Sequence, residues 1–168
     1  SVTRKVQAIL LAQGYNVVMT RSDDSYMDLY DRADIANAVD ADIFVSIHSN
    51  ASATNKDFQG IFTYYHPSSR LAQAIQTPLA QITGGIDRGI LSNDYVVLRE
   101  TDMCAALVEM GFMSNGHSTA VNRAMEKLHR IFQSVMKRQF DKIDPIRSKY
   151  GRIEQEPVKL SDKMSSIR

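Results

Sequence analysis
Four side chains in this sequence combine a reactive type with a setting that could use it. His48 and Asn50 close the run "DIFVSIHSN", Glu109 sits inside "ALVEMGF", and Arg99 ends "YVVLR". A histidine delivered by a buried strand into small polar residues is either a hydrogen-bonded structural group or a metal ligand. A carboxylate among apolar neighbours is costly to bury alone. Glu109 is therefore either one half of a core salt bridge, with Arg99 as its candidate partner, or a carboxyl of raised pKa able to take a proton from a metal-bound water. Arg99 could alternatively hold an anion, and Asn50 could hold its loop or contact substrate. Asp87-Arg88 in "GGIDRG" reads as a loop-ordering pair. His66, His117 and His129 have no ligand spacing among them, and the eight methionines read as core filler.

These groups need elements to position them. Val6, Ile9, Leu10 and Leu11 form an apolar helical stripe that Gly14 stops. Strands are predicted at 15–20, 42–48, 60–65, 95–100 and 105–112. Helices are predicted over 23–41, over 69–83 with Pro78 kinking or splitting it, and over 117–143. Short, almost wholly apolar strands alternating with helices predict an α/β fold. Its sheet is open, twisted and mostly parallel, with about five or six strands and helices on both faces. Ligands of such sheets gather at the carboxyl ends of strands. His48 and Glu109 are both expected there, within about 10 Å of each other.

Composition narrows the classes. The 168 residues suit one ordinary domain, and 20 basic against 19 acidic residues exert no global pull on nucleic acid or anionic membrane. One cysteine, Cys104, permits neither an intrachain disulfide nor a cysteine-rich zinc site. No stretch of about 18 apolar residues predicts a membrane span, and the opening reads as an amphipathic helix rather than a signal peptide. "DKIDPIR" at 141–147 recurs as "DKMSSIR" at 162–168. The expected division is therefore a domain over 1–140 and a polar, repeat-like tail over 141–168.

"VVMTRSDDSYMDLYDRADIANAVDADIFVSIHSNAS", "GIFTYY", "DRGI", "YVVLRET" and "ALVEMGFMSN" follow one another in an order and spacing that resemble the zinc-dependent N-acetylmuramoyl-L-alanine amidases of the amidase-3 type. The resemblance spans roughly residues 1–120. It implies a bacterial peptidoglycan hydrolase of the cell envelope or exterior, with His48 as a zinc ligand, Glu109 as the catalytic glutamate, and Arg99 close to the active site. Members of that family begin with a Gly-His-Gly strand and a following glutamate that supply the other two zinc ligands. This sequence begins partway through the helix that follows, and carries Cys104 where the family has a proline. One imidazole cannot replace a three-ligand cage, so weak zinc binding is expected of the chain as written. The other classes carried are a non-catalytic peptidoglycan-binding or regulatory domain and a nucleotide-binding α/β module. No glycine-rich phosphate loop follows any strand to support the last.

Overall fold
The computed structural model describes residues 2–114. The helix predicted over 117–143, His117, His129 and the repeated tail lie outside them.

Eight elements follow in order: α1 (Val2–Ala12), α2 (Leu29–Ala38), β1 (Ile43–Asn50), β2 (Ile61–Tyr65), α3 (Arg70–Thr83), β3 (Asp87–Ser92), α4 (Val96–Arg99) and β4 (Cys104–Phe112). α1 buries Val2, Val6, Ile9 and Leu10. It ends at Gly14 as the sequence predicts: Gly14 N–H donates to Leu11 O at 3.0 Å and Tyr15 N–H to Leu10 O at 3.0 Å, the paired bonds of a left-handed glycine stop. α2 starts later than its pattern suggests. Asp23 accepts the Ser25 backbone N–H at 2.9 Å, which favours a turn over a helix. Asp28 then caps α2 by accepting Tyr30 N–H at 2.9 Å.

The sheet is open, in the order β1-β4-β2-β3. β1 and β4 are parallel, β2 and β3 are parallel, and β2 runs antiparallel to β4. The expectation of an open, mostly parallel α/β sheet holds, with four strands among the described residues rather than five or six. β4 is central and nearly all buried, because "AALV" has a neighbouring strand on each side. α2 and α4 cover one face: Ala36, Phe44, Val97, Leu98, Ala105 and Leu107 pack together there with Tyr64 and Met103. α3 covers the other face, packing on β2, β3 and β4, and Ile75 and Leu79 are completely enclosed. Each such side chain contributes about 1.5–3 kcal/mol of transfer free energy.

Three local expectations are corrected. Residues 15–20 form no strand, since β-propensity makes a strand only where a neighbour completes the ladder, and among the described residues none does. "YVVLRE" is the short helix α4. Val97 and Leu98 both enter the same core cluster, whereas consecutive strand residues would point to opposite faces. "GGIDRG" is not a loop throughout, because Asp87 opens β3. Within α3 the chain runs through Pro78 as a single helix, so no split occurs there.

Candidate active site
His48 on β1 is the register partner of Glu109 on β4, and Phe62 on β2 is the partner of Glu109 on its other side. Neighbouring strands lie about 4.8 Å apart and in-register residues share a face. The expected convergence of His48 and Glu109 is therefore met, by direct adjacency. The same face carries Ser46, whose Oγ is 2.9 Å from His48 Nε2. Burial, followed by the nearby Arg32 and Arg21 charges, lowers the His48 pKa below its usual 6.5, so the imidazole is neutral at pH 7.

Glu109 is half-buried, and its Oε2 has no hydrogen-bond partner. Burial pushes its pKa up to about 7. The core salt bridge is absent: Arg99 Nε instead donates to Glu100 Oε1 at 2.8 Å, and Arg99 Nη1 lies 3.8 Å from Asp94 Oδ2. Those hydrogen-bonded and ionic contacts raise the Arg99 pKa, with Glu100 the main cause. Asn50 holds its loop. Its Oδ1 accepts Ala51 N–H at 2.7 Å and its carbonyl accepts Met113 N–H at 2.7 Å.

The carboxyl end of β4 is bent by one extra residue. Three residues of β1, from His48 to Asn50, face four of β4, from Glu109 to Phe112. Gly111 takes up the irregularity with φ +144°, a conformation that disfavours any side chain. Without the extra residue Phe112 would turn away from the face of Glu109. With it, the Phe112 ring comes within 6.1 Å of the Phe62 ring.

Beside the pair opens a cleft of about 800 Å³, lined by Asn50 and the loop after it, by Phe58, Phe62 and Phe112, and by Tyr64, Arg88 and Leu91. Neither His48 nor Glu109 lines it, but Asn50 and Phe62 join it to them. Its aromatic wall is continuous, with Phe58 against Phe112 at 4.9 Å, Phe62 against Tyr64 at 5.1 Å and Tyr64 against Tyr95 at 5.0 Å. Burial first, and then Tyr95 and Glu109, push the Tyr64 phenol up to about 12, so it stays protonated.

A sequence model described as N-acetylmuramoyl-L-alanine amidase (Amidase_3) matches residues 1–137. The chain belongs to that family. It is 35% identical to the N-acetylmuramoyl-L-alanine amidase LytC of Bacillus subtilis over 120 residues, which are 68% of this chain and 24% of LytC. It is 31% identical over 128 residues to the probable cell wall amidase LytH of Staphylococcus epidermidis, 76% of this chain and 42% of LytH. The chain thus spans well under half the length of these two curated relatives. Among solved structures it resembles the catalytic domain of the amidase CwlV from Bacillus (Paenibacillus) polymyxa, with TM-score 0.71, 33% identity and 81% of each chain covered. The amidase AmiC2 of Nostoc punctiforme gives TM-score 0.72, 30% identity and 81% of each chain.

Several site residues of this amidase domain escaped the sequence reading. Phe62 and Tyr64 fall in a predicted strand and Phe58 in no predicted element, and only the pairing of β2 beside β4 makes them a wall. Gln76 gave no signal at all inside its helix. It is buried, accepts the Thr63 hydroxyl at 2.9 Å, and donates to Ile61 O at 3.0 Å and to Asp87 Oδ1 at 2.5 Å. Asn37 likewise ties α2 to the turn before β4, donating to Glu100 O at 2.8 Å and accepting Asp102 N–H at 3.0 Å.

Proposed function
We propose that this chain carries the hydrolytic site of a cell-envelope peptidoglycan amidase, cleaving the amide between N-acetylmuramic acid and the L-alanine of the stem peptide. The observation that carries this reading is Glu109: a half-buried carboxyl with an unpartnered oxygen, beside a neutral imidazole and next to an open cleft that Phe62 and Asn50 share with them. With a pKa of about 7 it is half ionised at neutral pH, the range in which a general base works best. Glu109 takes a proton from water as the oxygen bonds to the amide carbon. It returns that proton to the alanine nitrogen as the carbon–nitrogen bond breaks.

The family is zinc-dependent, and the described residues supply only part of a zinc site. His48 offers a neutral ring nitrogen, but among the described residues no group of three His, Cys, Asp or Glu side chains converges. His48 is the candidate ligand among the described residues, and zinc held there with further ligands would activate the water and polarise the carbonyl. Asn50 supports substrate by fixing the loop that forms the cleft's rim. Arg99 takes a substrate anion only by giving up Glu100 and Asp94. Among the described residues no helix is long and apolar enough to cross a membrane.

The test is digestion of purified peptidoglycan with labelling of the ends released. New alanine amino termini support the reading, whereas new reducing sugar ends or other amino termini overturn it. The incomplete ligand set favours one second reading, a peptidoglycan-binding or regulatory domain. Binding without release of alanine amines, together with weak zinc uptake by calorimetric titration, distinguishes it.

A further inference from the structure
The cleft beside Glu109 has one charged side chain among the described residues that line it, Arg88. This side chain is held on three sides. Its guanidinium carbon lies 4.1 Å from the centre of the Phe58 ring, a cation–π contact. Its Nε donates to Gln59 O at 2.6 Å. Its stem lies against Gly60, where an added Cβ would come within 2.6–2.9 Å of Arg88 Nε, Cδ and Cγ. Gly60 itself has φ +126°, so both the backbone and the arginine exclude a side chain at that position.

With Nε occupied, the two terminal amino groups of Arg88 have no hydrogen-bond acceptor among the described residues, and no carboxylate among them lies in salt-bridge range. A guanidinium held flat with its paired N–H groups free suits a carboxylate, which it binds with two parallel hydrogen bonds. Its place in the sheet sets which carboxylate it can reach. Asp87 pairs with Ile61 and faces α3, so Arg88, one residue on, turns to the face of Phe62 and Glu109. Two strand spacings separate it from Glu109, about 10 Å. An extended peptide advances about 3.3 Å per residue, so Arg88 reaches a group two to three residues beyond the bond that Glu109 faces.

We propose that Arg88, cradled by Phe58, Gln59 and Gly60, recognises a free carboxylate on the peptide side of the substrate, two to three residues from the scissile amide. This rests on the amidase reading and adds a specificity residue to it. The carboxylate anchors the peptide along the aromatic wall, and an amidated peptide loses that anchor.

The test is equilibrium binding, followed by NMR titration of the full chain with two soluble muramoyl peptides. One carries a free carboxylate on its second residue, and the other carries the amide there. Wild type should bind the acid about fivefold more tightly, the upper range for an exposed ion pair, and the preference should shrink at high salt. Arg88→Gln should weaken binding of the acid about fivefold and so remove the preference. Gly60→Ala, which displaces the arginine without removing it, should weaken the preference. Melting curves confirm that each variant is folded. Equal binding of acid and amide by wild type, or a preference that survives Arg88→Gln, overturns the assignment of Arg88. Failure of both peptides to bind overturns the amidase reading as well.

Discussion
β3 and β4 carry the same short run, an acidic residue, any residue, glycine and an apolar residue: Asp87-Arg88-Gly89-Ile90 and Glu109-Met110-Gly111-Phe112. In both, three residues of the neighbouring strand face the four of the run, and the glycine has positive φ, +77° and +144°. The two carboxylates nevertheless differ. Asp87 Oδ1 accepts from Gln76 Nε2 and from Gly89 N–H at 2.8 Å, so its charge holds the edge strand to α3. Glu109 Oε2 accepts from nothing, and the carboxyl sits at about pKa 7. The motif makes the bend, and the surroundings decide whether the acid is tied down or left available. An unsatisfied buried polar atom in an otherwise well-bonded fold points to function.

The sharpest way to break this comparison is to neutralise each acid in turn. In protein that holds its zinc, Glu109→Gln should lower turnover by at least about 10²-fold, the scale of a lost general base, with metal content unchanged. Asp87→Asn should leave turnover per folded molecule near wild type. Comparable losses from both substitutions, measured on the same peptidoglycan substrate, contradict the distinction. His48→Ala should lose metal and activity together.

Stability should show the opposite ranking. Gln76→Leu strips Asp87, Thr63 and Ile61 O of their buried partner, and should cost about 2 kcal/mol, visible as a drop of several degrees in Tm. A Tm within one degree of wild type, on that same scale, removes Gln76 as the tie between α3 and β3.

Glu109 gives a pH signature of unusual sign. Its folded pKa lies above the ordinary 4.5, so the folded chain holds the extra proton and stability falls as pH rises from 4.5 through about 7. Solvent screening at a half-exposed group limits the effect to about 1 kcal/mol. In metal-free protein, Glu109→Gln should match wild type near pH 5 and be more stable by about that amount at pH 8. A uniformly less stable variant would instead mean that Glu109 is a structural acid like Asp87. An effect of similar size is expected at Gly89→Ala. No atom lies within 4 Å of the added Cβ, so only the strain of positive φ remains, about 1 kcal/mol by thermal melting.

Much of the site was legible before the fold. A histidine near the end of one strand and a glutamate inside another is a local pattern, and the chain's apolar runs place both on strands of an open α/β sheet. Misreadings occurred where local pattern and tertiary partner disagree. "YVVL" has strand composition but bends as α4 to put both Val97 and Leu98 into one core. "YNVVMT" has it too, but among the described residues no strand pairs with it. β3 is mostly exposed, so it lacks the apolar run that marked β4.

The sequence by itself determined the helix stops, the buried central strand and the reactive residue types, because propensity, apolar period and glycine placement act over a few neighbouring residues. Only the tertiary structure decided that β2 inserts antiparallel beside β4, which makes Phe62 the neighbour of Glu109 and builds the aromatic cleft. It alone decided that Arg99 serves Glu100 and not Glu109, and that Gln76 ties up Asp87 while nothing ties up Glu109. Each of those outcomes depends on which groups meet across tens of residues, and so does the pKa that follows from burial.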